Sequence, residues 1–211
     1  MALRFFFRIL MLAAIVATSQ DALARKVDIY ELSLDENLEI PEIKKERVSE
    51  VIQDYQYTQA VELIKRNFEV ELMRDNEVMI VTIPAEKLFA DNDTTLSERG
   101  KTTLKPMFKF LKSPGFYKML LVMHSDNTGS PAYTLKLTRD RVNAVYDWIS
   151  SNTNVDFVVP YALGSSDPIE SNYSMVLRGK NRRLEIYLVP GEVMIDQAKH
   201  GSVNINQIQR K

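Results

Sequence analysis

His124, Ser125 and Asp126 stand together in the segment His124-Ser125-Asp126-Asn127-Thr128-Gly129, and their types raise three kinds of chemistry. A metal site normally takes at least three protein ligands. His124 and Asp126, two residues apart in extended chain, share a face, but the chain has 2 histidines, the second being His200 in the tail, and 0 cysteines. Nucleophilic hydrolysis needs a serine and a histidine set face to face with a third group behind them. Adjacency of His124 and Ser125 supplies no such relay, and neither a nucleophile elbow nor H-E-x-x-H occurs. Binding remains. Asp-Asn-Thr-Gly is a good turn former, and Arg141 falls four residues after Leu137 and four before Val145, near the apolar side of a helix. An arginine there needs a carboxylate partner, and Asp126 is one candidate. No enzyme activity, no metal and no cofactor are expected.

The elements that must position these residues follow from periodicity. Tyr117 to Met123 is a dense apolar run, the pattern of a buried strand, and it leads directly into the polar cluster. Pro131 to Ser150 is a strong amphipathic helix, with Leu137, Val145, Trp148 and Ile149 on one side and Lys136, Arg139, Asp140 and Asp147 on the other. Upstream, residues 46–66 repeat apolar residues at three- and four-residue steps. Phe68 to Met73 and Val78 to Ile83 then form a hairpin around Asp75-Asn76, residues that tolerate positive φ. Ser97 opens a helix that runs toward Pro114-Gly115 and that Pro106 bends or shifts. Strands at Val155 to Ala162 and Arg183 to Val189 complete the set. Helices between strands imply an α+β fold, a two-layer α/β sandwich in which a mixed β-α-β-α-β-β sheet carries helices on one face.

The chain's two ends read differently. Arg4 and Arg8 flank a positive start, Ile9 to Ala17 is unbroken apolar sequence, and Ala22-Leu23-Ala24 has the small-x-small form of a signal-peptidase site. Nine residues make about 14 Å of helix, less than half of a ~30 Å hydrocarbon core, so residues 1–24 are expected to be a cleaved leader with no transmembrane segment after it. Lys+Arg number 27 and Asp+Glu 28, a balance that argues against a nucleic-acid surface. Residues 25–47 are charged, interrupted by Pro41, and read as a linker or loosely held arm; residues 191–211 read as a polar, loosely ordered tail.

With these elements in place, three polar segments resemble the OmpA-like peptidoglycan-binding domain, whose pattern runs T-D-x-x-G, L-S-x-x-R-A, then G-R-x-x-N-R-R. Here the pattern reads Ser125-Asp126-Asn127-Thr128-Gly129, Leu137-Thr138-Arg139-Asp140-Arg141-Val142 and Arg178-Gly179-Lys180-Asn181-Arg182-Arg183, with Leu88-Phe89 and Pro168…Asn172 as further matches. The resemblance covers residues 77–190, leaving 25–76 as an extension of linker, helix and strand. It implies a non-catalytic domain of the Gram-negative periplasm, associated with peptidoglycan or the outer membrane, that holds diaminopimelate-bearing stem peptides and tethers an envelope component to the cell wall. Asp126 and Arg141 carry the binding roles under that resemblance, with Asn127, Thr128, Thr134 and Phe89 as further ligand contacts. Gly129, Arg178, Asn181 and Arg182 act as structural support. The free end of diaminopimelate bears an ammonium and a carboxylate on one carbon, for which a carboxylate and a guanidinium are the complement. Departures from the pattern are Met123 for a glycine, Ser125 for threonine, Thr134 for asparagine and Val142 for alanine. An outer-membrane or periplasmic protein is the partner expected for residues 25–76. The alternative is an OmpA-like fold serving protein–protein assembly without peptidoglycan binding, its cleft filled by Met123, Phe89 or the tail.

Overall fold

The computed structural model describes residues 28–206, so the leader read at residues 1–24 and the last five residues of the tail lie outside the described residues. A five-stranded mixed sheet forms the centre, in the order β1-β2-β5-β3-β4. β1 (Glu69–Met73) and β2 (Val78–Pro84) are a hairpin whose turn places Arg74, Asp75 and Asn76 at positive φ. β5 (Arg183–Pro190) runs antiparallel to both β2 and β3 (Tyr117–His124), and β4 (Val158–Gly164) is parallel to β3. β2, β3 and β4 therefore all end at the same edge of the molecule, where Pro84 and His124 both sit opposite Arg183.

One sheet face is covered by helices α2 (Glu46–Ile64), α3 (Glu98–Leu104), α4 (Pro131–Ser150) and α6 (Glu192–Lys199). The stripe of α2 is Val48, Ile52, Gln56, Ala60 and Leu63, at four- and three-residue steps, while Ile64 faces water. Gln56 is buried because every part of its amide is used: it donates to Glu77 O at 2.7 Å and Leu188 O at 3.2 Å and accepts from Tyr117 Oη at 2.7 Å. α3 stops at Leu104, and the chain continues through Pro106 as a 3-10 helix, Lys105–Leu111. α5 (Met175–Asn181) is a short helix just before β5 that the periodicity did not reveal.

Two segments read as loose are ordered. In the tail, Met194 and Ala198 lie one turn apart on α6 and are buried against the core, so residues 192–199 form a helix alongside α2. In the arm, Ser33 caps α1 (Leu34–Glu39): its hydroxyl accepts from Glu36 N, and the Glu36 carboxylate accepts from Ser33 N at 2.8 Å. α1 and its flanks lie across the second sheet face, where Leu38 packs among Val78, Leu120, Val122 and Val159. Polar bonds fasten the strap at points an apolar pattern cannot show. Asn37 donates to Ile29 O and to Tyr161 Oη, both at 2.6 Å; Arg74 donates to Leu38 O at 2.6 Å and Pro41 O at 2.9 Å; Lys118 donates to Ile40 O at 2.7 Å. The sheet thus has the expected helical layer on one face and the chain's own N-terminal arm on the other.

Candidate functional site

β3 ends in a register shift: Met123 pairs with Ala162 but His124 with Gly164, and Ser125 N donates to Gly164 O at 2.7 Å. This bulge turns the chain out of the sheet into the 126–129 loop. Asp126 closes the loop as its sequence predicts, its Oδ1 accepting from Thr128 N at 2.8 Å. Gly129 takes φ +97°, a conformation that favours glycine, and Ser130 then caps α4. Asn127 and Thr128 are left exposed at the rim.

Asp126 itself is only 4% exposed. Its second oxygen accepts from Arg182 Nη1 in an ion pair. Burial pushes the carboxyl pKa up, but the bonds from Thr128 and Arg182 outweigh it and hold it below the ordinary value. Arg141, 6% exposed, does not find its partner in Asp126. Its Nε donates to Asp93 O at 2.8 Å and its Nη2 to Ala90 O at 3.2 Å, and the guanidinium lies 5.0 Å from the centre of the Phe89 ring. The 89–93 loop is therefore wrapped around Arg141. Burial lowers the pKa of Arg141 and Arg182 adds to that shift, while Tyr133, Asp93 and Asp91 oppose it. The guanidinium stays protonated throughout. The result is a carboxylate and two guanidinium groups gathered where the 126–129 loop, the 89–93 loop and the start of β5 meet.

Phe89 and Thr134 are covered in this structure, as Asp126 is. Phe89 is buried in the core beneath Arg141, and Thr134 is buried with its hydroxyl donating to Pro131 O at 3.1 Å and 3.4 Å from Ser165 Oγ. Met123 is buried in the helix-covered core, in the same cluster as Phe89. Arg182 holds Asp126 directly, a closer part than support. Asn181 is buried and braces the preceding loop: its Oδ1 accepts from Ile169 N and Glu170 N at 2.9 Å each, and its Nδ2 donates to Glu170 O and Asn172 Oδ1. Arg178 Nε donates to Asn172 O at 2.8 Å, and Asn172 Oδ1 in turn lies 3.4 Å from Asn127 N.

Behind the loop, on the second sheet face, is a polar cluster that no pattern reading identified. His124 Nε2 lies 3.3 Å from Glu185 Oε2, Arg183 Nε donates to Glu185 Oε1 at 2.7 Å, and Tyr187 Oη donates to Glu185 Oε2 at 2.6 Å. Burial raises the Glu185 pKa, but His124 and Arg183 drive it well below the usual carboxylate range. The bulge puts His124 and Asp126 in separate environments rather than on one shared face. Among the described residues no group of three or more His, Asp or Glu is placed to hold a metal ion. A cleft of about 550 Å³ at the same end of the sheet, lined by Arg66, Lys87, Arg99 and neighbours, includes neither Asp126 nor Arg141.

No family model matches the chain. Outer membrane protein A of Bordetella avium is 26% identical over 110 residues, 52% of this chain and 57% of that protein. Peptidoglycan-binding protein ArfA of Mycobacterium tuberculosis is 38% identical over 64 residues, 30% of this chain and 20% of that protein. The chain spans about half the length of the first curated relatives it matches. Among solved structures, a MotB-like protein of Desulfovibrio vulgaris superposes with a TM-score of 0.60 at 16% identity, over 68% of this chain and 96% of that one. The cell wall anchor of the T6SS from Pseudomonas aeruginosa does so with a TM-score of 0.52 at 23% identity, over 65% and 96%. The structural likenesses establish the fold, and the sequence relatives agree with the resemblance to an OmpA-like domain.

Proposed function

We propose that this chain is a non-catalytic periplasmic module that binds diaminopimelate-type peptidoglycan stems through residues 77–190 and so tethers an envelope component to the cell wall. The observation that carries the reading is the gathering of Asp126, Arg182 and Arg141 at a loop whose Asn127 and Thr128 face water. A ligand ammonium would share the Asp126 carboxylate with Arg182, and the ligand carboxylate would meet the edge of Arg141 that the Ala90 and Asp93 carbonyls leave unengaged. Relatives named for peptidoglycan binding and a structural neighbour named as a cell wall anchor support the same reading. Because residues 28–41 are spread over the sheet, a protein partner of the N-terminal extension would meet the outer side of α2, where Tyr57 and Ile64 are exposed. Among the described residues no helix is long and apolar enough to cross a membrane.

A second reading has one observation in its favour: Asp126 and Arg141 already have internal partners and are nearly covered, an arrangement also suited to an assembly module that binds no stem. Co-sedimentation of the mature protein with diaminopimelate-type and lysine-type sacculi decides between them. Asp126→Asn is the better comparator, since Arg141→Ala also strands the Ala90 and Asp93 carbonyls. Selective pelleting with diaminopimelate sacculi, lost in Asp126→Asn, supports stem binding; no pelleting of either protein refutes it and favours assembly.

A further inference from the structure

The cleft of about 550 Å³ is walled by segments that are distant in sequence: Arg66 follows α2, Glu69 opens β1, Lys87 ends the 3-10 turn Ala85–Lys87 after β2, and Arg99 stands in the first turn of α3. Its size falls within the ~300–1,000 Å³ of small-molecule sites. Backbone bonds fix the frame. Phe68 N donates to Leu63 O at 3.1 Å where the chain leaves α2, Ala85 N to Arg182 O at 2.9 Å, and Ser97 N to Leu88 O at 3.0 Å just before α3. Three cations and one carboxylate, Glu69, line the space. Among the described residues no carboxylate is in ion-pair contact with Arg66, Lys87 or Arg99, and the acids nearby are engaged elsewhere. Glu62 is held by Lys109 at 2.9 Å, with Arg66 a lesser influence on it, and Glu98 is held by Lys101 at 2.6 Å.

Solvated surface charge explains these cations only in part. The C-terminus of α2 accounts for Arg66, because that end of a helix favours a cation. Arg99 stands at the opposite kind of end, which disfavours one, and Lys87 is half-buried in the cleft. Three positive groups around one hollow repel each other, and Glu69 offsets one of them, leaving an excess of two. A phosphate monoester brings about −1.5 to −2 charges at pH 7 and three acceptor oxygens, and arginine forks match such oxygens in pairs. A single carboxylate would meet half of the excess. Thr102 and Thr103 add no donors, since each hydroxyl gives its proton to a carbonyl one turn back, Glu98 O and Arg99 O. Phe68 and Pro106 supply apolar lining. We propose that this cleft binds a phosphate monoester, with Arg66, Lys87 and Arg99 around the phosphate and Phe68 and Pro106 against the carbon skeleton that carries it. A soluble sugar or polyol phosphate and a lipid ending in a phosphate monoester present the same group. The cleft includes neither Asp126 nor Arg141, so this site is separate from the one at the 126–129 loop.

Titration calorimetry of the full mature chain with glycerol phosphate, against glycerate as its carboxylate counterpart, tests the soluble source. Flotation with vesicles of equal parts phosphatidylcholine and phosphatidic acid, against phosphatidylcholine alone, tests the lipid source. The wild type is expected to bind in at least one arm. Arg66→Gln combined with Arg99→Gln, both at exposed positions, should weaken that binding about tenfold or more and leave the melting temperature unchanged. Lys87→Met should weaken it independently. Binding of glycerol phosphate assigns a soluble ester, and flotation with the acidic vesicles alone assigns a lipid headgroup. Absence of binding in both arms overturns the proposal; so does binding that these variants keep, or a glycerate affinity equal to that of glycerol phosphate.

Discussion

Arg182→Gln tests whether Asp126 is held as a buried ion. The carboxylate is nearly covered, and the Arg182 side chain that meets it is 31% exposed. Removing the guanidinium leaves a buried negative charge held by Thr128 alone, through its N–H and its side chain. Breaking a fully buried pair costs about 3–5 kcal/mol; with one partner reached by solvent and the Thr128 hydrogen bonds retained, about 2 kcal/mol is expected here. Asp126→Asn keeps an acceptor for Thr128 N and removes the charge, for a loss of about 1 kcal/mol. The amide needs no cation, so the double variant should also lose about 1 kcal/mol, a coupling of about 2 kcal/mol. Urea unfolding of the four proteins at pH 7 reads this as midpoint shifts at constant slope. Losses that add to within about 0.5 kcal/mol would refute the buried-ion account. Acid supplies a second check. With its folded pKa below the unfolded value near 3.8, Asp126 contributes fully above that value and loses its contribution as pH falls through the folded pKa. The gap between wild type and Asp126→Asn should close on acidification.

Lys118 is pulled from 10.5 to about 8, by burial first and by Arg74 second, so the unfolded chain binds more protons between those values and stability should rise by about 1–2 kcal/mol from pH 8 to 10.5. Thermal unfolding of Lys118→Met should show no such rise. Leu38→Ala, beneath the N-terminal strap, should lose about 2–4 kcal/mol and speed amide hydrogen exchange in residues 29–40; unchanged exchange there would mean the strap is not held by this contact. Gly191→Ala should prevent stable folding, because its Cβ would lie 2.0 Å from Gly115 O at an ordinary φ of −90°; a soluble variant with wild-type melting temperature would contradict that packing.

The sheet, its helical layer and the turn at Asp126 were legible because they depend on dense patterns: the buried run of β3, the stripe of α4 and the turn chemistry of Asp-Asn-Thr-Gly. The strap was not, since its few apolar residues show no period and its anchors are Arg74 and Lys118 reaching backbone carbonyls far away in sequence and Asn37 reaching the Tyr161 hydroxyl. α6 was missed because its apolar residues, the run Val193, Met194, Ile195 and then Ala198, are too few to show a helical period, yet they dock its two turns on the core. At the site, the sequence brought forward Asp126 and Arg141, but not that each is met by someone else. Arg182 stands next to Arg183, and only the fold sends one guanidinium to Asp126 and the other to Glu185 on the opposite face. Alternation along β5 carries that signal; it becomes informative once the strand's start is known.

The course of the strap also has a mechanical consequence. Tyr30 Oη donates to Val155 O, just before β4, whereas Asp126 lies beyond the far end of β3. A pull between a ligand held at Asp126 and the chain at Asp28 therefore runs lengthwise along the strands. The ladders of β3 with β4 and β5 meet that load in shear, many bonds at once, while the strap is peeled from one end, bond by bond. Under tension the strap should yield first and lengthen the chain while the sheet stays whole; a pulling experiment would show a short early extension before the main rupture.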